Sequence, residues 1–273
     1  MKDRRETLLS LFDTSGKGLE IGPSFNPLLR KSDGYNVDIL DHLDSDGLRK
    51  KYEGSGVDVS RLEEVDFVSD GGSLVELIGR RSCYEYCIAL HVIEHTTDLL
   101  GFLLDCEALL SDKGVLVLAV PDKRFSFDVL RPISTIGHVI QAHLEPRKRH
   151  SPGQILDELA YNVLRGGLPA WGRDNMSPIE FFRKFQDVEP TFEALTGSNE
   201  FVDIHGWQFT PSSFRLLVND LQGMGFMELR EKSFVDGGGA EFYMTLSKDG
   251  SGCSVDRMSL LRNIGSELNA VKF

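Results

Sequence analysis

The sequence predicts an α/β fold built on a doubly wound, mainly parallel sheet, and three observations carry that prediction. Short apolar runs alternate with helix-period stretches from Lys17 to Val120. Val115 to Val120 is a continuous, valine-rich apolar run, the pattern of a strand covered on both faces of a parallel sheet. Near the end of the chain, an apolar helical stripe is followed by two runs flanking Asp236-Gly237-Gly238-Gly239, a strong hairpin signal.

Taken in order, Lys17 to Ile21 reads as a short strand closed by Gly22-Pro23, and Tyr35 to Asp41 as a second ending in acids. Ser45 to Glu53 reads as a charged surface helix, Val65 to Ser69 as a third strand, Ser73 to Arg80 as a helix and Tyr84 to Leu90 as a fourth strand. Asp98 is placed to cap a helix in which Leu99, Leu100, Leu103, Leu104 and Leu110 recur at helical spacing, so one face must be buried. Asp112-Lys113-Gly114 is expected to end that helix before the strand Val115 to Val120. From Phe125 to Thr210 the alternation stops: most of the prolines, both tryptophans and several helical patterns occur there, and no strand is expected. Pro211 suits a first helical turn, and Phe214, Leu217, Val218 and Leu221 form a stripe ending at Gly223 and Gly225. Phe226 to Val235 and Ala240 to Ser247 are the hairpin strands. The expected organisation is a core of residues 1–124 and 211–248, a helical insertion at 125–210 and a helical tail at 249–273.

At 273 residues, with 41% hydrophobic and 26% charged, the chain is long enough to bury a sizeable core. The 30 Lys and Arg stand against 42 Asp and Glu, and the formal charge of -12 argues against nonspecific nucleic-acid binding and against anionic lipid. No apolar run approaches the length of a membrane span, and the N-terminus carries charges where a signal would need an apolar core. Cys83, Cys87, Cys106 and Cys253 form no CxxC pair, which suits a reducing compartment. The expectation is a soluble cytoplasmic protein with no membrane span.

Gly18-Leu19-Glu20-Ile21-Gly22-Pro23-Ser24 ends the first strand, where small residues let a backbone approach a ligand at the carboxyl edge of an open sheet. An ordinary tight turn would read the same way. Asp38 and Asp41 end the second strand, about 20 residues further on, where a carboxylate can accept both hydroxyls of a ribose. Asp41 is the better placed.

With those residues in view, the chain resembles the class I S-adenosylmethionine-dependent methyltransferases, in particular a small-molecule branch associated with surface-polysaccharide and other biosynthesis. The resemblance rests on Glu20-Ile21-Gly22-Pro23-Ser24, Asp41-His42, Val65-Asp66-Phe67, His91-Val92-Ile93-Glu94-His95 and Pro121-Asp122-Lys123-Arg124. It covers residues 15–125, and the terminal helix and hairpin by architecture. It implies S-adenosylmethionine as cofactor, with Glu20 and Gly22 at its amino-acid end, Asp41 at the ribose and Asp66, as an acid after the third strand, at the adenine. Pro23, Ser24, Phe67 and His91 complete the implied cofactor site. The family's loop has further glycines where this chain has Pro23, Ser24 and Phe25.

His91-Val92-Ile93-Glu94-His95 also reads as HxxEH, which supplies two zinc ligands and a glutamate in one class of peptidases. That chemistry needs both histidines on one helix face, whereas here the motif straddles a strand end, so no metal is expected. Under the methyltransferase resemblance His91 stands beside the sulfonium and Glu94 or His95 at the pocket mouth; a helix cap would equally explain His95. If a hydroxyl is the acceptor, a histidine is the natural base at neutral pH. His91 and His95 are the catalytic candidates, with His143, His150 and His205 also in reach of that role. Asp122, Lys123 and Arg124, with Asp128 and Arg131 following, leave the fifth strand at the same edge and are expected to orient a polar or anionic acceptor, although an exposed salt-bridged turn fits as well. Arg147-Lys148-Arg149-His150 is a local basic cluster, either a solvated face or a phosphate contact. Trp171, Phe181, Phe182, Phe185 and Trp207 offer a stacking wall or insertion core. The function this predicts is O-methylation of a small-molecule or saccharide acceptor. A noncatalytic S-adenosylmethionine-binding partner is the alternative, and a zinc hydrolase a distant third.

Overall fold

The computed structural model describes residues 3–145, 147–172 and 177–271. The chain begins with helix α1 (Arg4–Leu9) and alternates strand and helix thereafter: β1 (Gly18–Ile21), β2 (Val37–Asp41), α2 (Ser45–Tyr52), β3 (Phe67–Val68), α3 (Leu74–Ile78), β4 (Tyr84–Leu90), α4 (Leu99–Leu109) and β5 (Leu110–Pro121). Helices α5 (Ile136–Leu144) and α6 (Pro152–Tyr161), the short strands β6 (Val163–Arg165), β7 (Leu168–Pro169) and β8 (Ile179–Phe181), and α7 (Val188–Gly197) follow. The chain then returns through α8 (Pro211–Gly223), β9 (Arg230–Asp236), β10 (Glu241–Ser247) and α9 (Arg257–Asn269).

Seven strands form one sheet in the order β3-β2-β1-β4-β5-β10-β9. The first five are parallel, and β10 runs antiparallel to both β5 and β9. This is the strand order that the class I methyltransferase resemblance leads one to expect. Alternate residues of β4 serve opposite faces: Cys87 and Ala89 pack with α4 and α8, while Tyr86 and Ile88 pack with Leu8, Leu28 and Val37. Strand order reverses between β1 and β4, so the sheet opens a crevice at their carboxyl ends. Among the described residues no helix is long and apolar enough to cross a membrane, and all four cysteines are free.

The structure departs from the sequence expectation at several boundaries. Strand β3 is only Phe67–Val68, so Asp66 precedes it instead of following it; Asp70 stands after it. Helix α4 stops at Leu109, and the chain enters β5 at once, passing Asp112-Lys113-Gly114 inside the strand. A register shift between Tyr84 and Tyr86 absorbs that irregular stretch. The Phe125 to Thr210 stretch is not purely helical. Gly166 and Gly167 take φ of 61° and 78°, the left-handed pair a tight two-residue hairpin requires, and they fold β6 against β7, with β8 on the other side of β6. Both ends of the stretch meet where Lys123 N donates to Phe209 O at 2.9 Å.

Gly18 opens β1 directly against a neighbouring ring: a Cβ there would lie 1.7 Å from Tyr86 Cε2. Tyr86 is fully buried, so the ring has no room to retreat. Gly18→Ala is expected to destabilise the fold by about 1–3 kcal/mol through overpacking, read as a lowered urea midpoint with an unchanged slope.

Candidate functional site

The loop after β1 turns through two left-handed residues, Gly22 (φ 64°) and Ser24 (φ 55°), and His91 across the crevice is a third (φ 56°). Positive φ in a side-chain-bearing residue costs energy that the surroundings must supply, and such residues cluster at ligand sites. A Cβ on Gly22 would come within 3.0 Å of Val92 Cγ2, so the loop lies close over the chain that follows β4.

The acids beneath this loop are committed to the chain's own amides. Buried Glu20 accepts from Leu28 N at 2.6 Å and Leu29 N at 3.0 Å. Burial pushes its carboxyl up to about 7, against the opposing pull of those two amides. Asp41, 1% exposed, accepts from Ser24 N at 2.8 Å through one oxygen and from the His42 amide and ring through the other. Glu20 therefore shapes the segment under the loop, and Asp41 fixes the loop itself. Ser24 Oγ meets Tyr52 OH at 2.7 Å, and the Phe25 and Tyr52 rings sit 4.9 Å apart. Pro23 O accepts from Asn26 N, and Phe67 packs against the core. Asp66 accepts from Ile39 N at 2.7 Å and pairs with Lys31 at 2.5 Å, which ties the start of β3 to β2. Asp70, the exposed acid that does follow β3, accepts from Gly72 N.

On the other side of the crevice, His91 Nε2 meets Glu241 Oε2 at 2.6 Å, and its Nδ1 lies 3.4 Å from Glu94 Oε1. Burial alone would depress His91, but the hydrogen bond and charge of Glu241, with Glu94, raise it to about 9. Glu241 and Glu94 thus favour His91 as a cation and hydrogen-bond donor. Glu241 is held in turn by Arg4 Nε at 2.6 Å and by Tyr243 OH at 2.7 Å. A single turn of 3-10 helix, Ile93–His95, carries Glu94 inward and His95 to a half-exposed position. The segment returning from the insertion crosses this turn: Gly206 N donates to Glu94 O, and Trp207 Nε1 to Thr96 O at 2.7 Å. It brings His205 beside His95, ring centroids 4.9 Å apart.

Asp122 caps the turn after β5 and forks with the Arg124 guanidinium, Nη2 to Oδ2 at 2.5 Å. Lys123 points inward, Nζ donating to Val129 O at 2.7 Å, and burial lowers it to about 8. Arg131, 2% exposed, lies between Asp128 and Glu158. Lys123 and Arg131 are therefore internal struts, not acceptor contacts: each finds its partners inside the insertion. Arg149 donates to Leu195 O, so at least that member of the basic cluster is engaged within the chain.

Of the aromatics read as a stacking wall or insertion core, Phe181, Phe182 and Phe185 are exposed and Trp207 is buried. Trp171, 45% exposed, sits 5.6 Å from the His91 ring and 6.1 Å from Phe127, which stacks 4.6 Å from His205. These rings line the approach to His91. Of the other histidines, His143 pairs with Asp98 away from this wall, and burial pushes His150 down to about 4. Sequence reasoning missed Glu241 and Asp203, and it read Asp128 as one of the charges leaving β5, where the structure pairs it with Arg131 and His205. Glu241 alone left a trace, as the residue that opens a strand after the Gly-rich turn and pairs with Pro121 at the carboxyl end of β5.

No protein-family model and no curated relative matches the sequence. Solved structures match it at low identity. A Rhodobacter sphaeroides protein described as a zinc-dependent alcohol dehydrogenase is 11% identical over 90% of this chain and 89% of that one, at a TM-score of 0.48. The CcbJ methyltransferase from Streptomyces caelestis is 14% identical over 89% of this chain and 94% of its own, at 0.44. The mitomycin 7-O-methyltransferase MmcR is 12% identical over 89% of this chain and 52% of its own, at 0.40.

Because the folded His91 is raised from 6.5 to about 9, the stability of its pair with Glu241 is fully present below pH 6.5 and lost as pH rises through 9. Glu241→Gln is expected to cost about 1.5–3 kcal/mol at pH 6 and less at pH 10, where only the contacts with Arg4 and Tyr243 remain to be lost. Denaturant melts at the two pH values measure the difference; an equal cost at both would place His91 outside the pair.

Proposed function

We propose that this chain is an S-adenosylmethionine-dependent methyltransferase that methylates an oxygen of a small-molecule or saccharide acceptor. The observation that carries this reading is the crevice at the β1/β4 reversal, where left-handed Gly22 and Ser24 face left-handed His91 beside the Asp41 carboxylate. The residues fit the cofactor. Gly22, without a Cβ, leaves the loop backbone open to close approach, and Asp41 holds a negative charge at the strand end where this architecture receives a ribose. Its present partners, the Ser24 amide and His42, are ones that ribose hydroxyls can share or replace. When bound, S-adenosylmethionine supplies a methyl group on a sulfonium, a good leaving group, so the protein needs mainly to align the acceptor and keep water out.

The chain's own residues supply those parts. Asp41 fixes the loop and Glu20 the segment beneath it, and Glu241 and Glu94 hold His91 as a cation at the crevice wall. Trp171 offers an exposed ring face on which a sugar or aromatic acceptor can stack. His95, half exposed with Nδ1 on Asp203, presents Nε2 toward Glu94 on the acceptor side of the crevice.

Calorimetric titration should show S-adenosylmethionine and its demethylated product binding the protein. Asp41→Asn should weaken both about 10- to 100-fold, the loss of a charged hydrogen-bond acceptor worth about 1.5–3 kcal/mol. Unchanged affinity in that variant would remove Asp41 from the site. Trp171→Ala should leave cofactor affinity within about a few-fold and lower acceptor turnover, since the ring stands on the acceptor side; product mass in an acceptor screen reads it.

A further inference from the structure

Glu94, His95 and His205 converge: one ligand-type atom from each lies within 4.8 Å of the others. Glu94 is 1% exposed, yet neither carboxylate oxygen has a hydrogen-bond partner among the described residues. His91 Nδ1 approaches to 3.4 Å without hydrogen-bond geometry, and its Nε2 is committed to Glu241. The charge of His91 offsets that of Glu94 in part, and a buried carboxylate with no hydrogen bond to either oxygen keeps the capacity to take a metal ion.

The two imidazoles are prepared alike. His95 Nδ1 meets Asp203 Oδ1 at 2.8 Å, and His205 Nδ1 meets Asp128 Oδ2 at 2.6 Å. A carboxylate that accepts the Nδ1 proton fixes the tautomer and leaves the Nε2 lone pair free, which is how metal-binding histidines are oriented. His95 Nε2 lies 4.0 Å from Glu94 Oε1. Asp128 is itself anchored by buried Arg131 at 2.8 Å, so the imidazole on the insertion side is braced twice.

We propose that Glu94, His95 and His205 bind a divalent first-row transition ion, with Zn2+ and Mn2+ the probes of choice, and that its open positions receive the acceptor oxygen. Two imidazoles and one carboxylate form a site that keeps positions free for substrate. The HxxEH motif thus contributes its Glu94 and second histidine only. His91 turns away to Glu241, and His205 from the returning segment takes its place, which is why the requirement for one shared helix face does not apply. The role of the ion rests on the methyl-transfer reading, although its binding does not. A coordinated hydroxyl becomes more acidic. Its proton leaves to water, its oxygen forms the bond to the methyl carbon, and the carbon–sulfur pair of electrons departs with the sulfur, giving the methyl ether and a neutral thioether. Asp128 and Asp203 are positioning residues for the two imidazoles.

The test uses tag-free protein stripped with a chelator and titrated with Zn2+, then separately with Mn2+, without cofactor or acceptor; bound metal is counted by mass spectrometry. One equivalent per chain and a raised melting temperature are expected for at least one of the two ions. His95→Ala and His205→Ala should lose that equivalent. Glu94→Gln, Asp128→Asn and Asp203→Asn should weaken it by about 10- to 100-fold. The absence of a stoichiometric ion with either metal, or binding unchanged in Glu94→Gln and His95→Ala, overturns the site. The half-exposed position of His95 keeps the test decisive if a buried variant fails to fold. Titrating S-adenosylmethionine into the stripped wild type separates the two readings. Cofactor binding without a metal equivalent sinks the ion and spares methyl transfer, and the reverse result sinks methyl transfer and spares the ion.

Discussion

Negative charge buried at the carboxyl edge of the sheet is the constraint on which this structure depends. A carboxylate removed from water must find donors or a cation, or it will not stay ionised in a folded chain. Here Glu20, Asp41, Glu94, Asp128 and Glu241 are all removed from water around one crevice, and each is answered differently. Two backbone amides answer Glu20; an amide and a ring answer Asp41; Arg131 and His205 answer Asp128; Arg4, Tyr243 and His91 answer Glu241. Glu94 has the imidazoles of His91, His95 and His205 about it and no hydrogen bond to either oxygen among the described residues.

Those answers come from distant parts of the chain, and that is how the molecule is drawn together. Arg4 lies in the first helix, His91 after the fourth strand and Glu241 at the start of the last. One charge cluster therefore ties the N-terminal helix, the middle of the sheet and the terminal hairpin. A second, from Arg131 through Asp128 to His205, ties the start of the insertion to its return. The strained backbone of Gly22, Ser24 and His91 sits between the two, held by contacts that outlast any local preference.

Much of the sheet was legible because its signals are local. The valine-rich run at Val115 to Val120, the capping acid Asp98 and the glycines after Asp236 each report their own conformation within a few residues, and the strands and helix they announce are present. The boundaries that moved did so where the partner decides. Phe67–Val68 is a strand only as far as Leu40 and Asp41 pair with it, and no property of Val65 or Asp66 announces that limit. The hairpin at Gly166-Gly167 carried a readable signal that the surrounding prolines and helical patterns masked. The side chains of the site were legible as residue types but not as partners. Lys123 and Arg131 look like surface charges in a row of polar residues, and only the packed insertion turns them inward. His91 and Glu241 are 150 positions apart, and nothing short of the closed sheet brings them together.

The meeting of Lys123 and Phe209 across 2.9 Å bears on how such a protein can change. A segment whose two ends already touch adds a closed excursion to the sheet, and the entropy of closing an excursion grows only with the logarithm of its length. Residues can be gained, lost or exchanged within it while strand register, held by Phe242 against Val120 and its neighbours, stays fixed. Change in the length of the excursion is thereby separated from strand register. A graft of the whole excursion would need to match that junction together with the bonds its returning segment makes to the turn after β4, from Gly206 N to Glu94 O and from Trp207 Nε1 to Thr96 O.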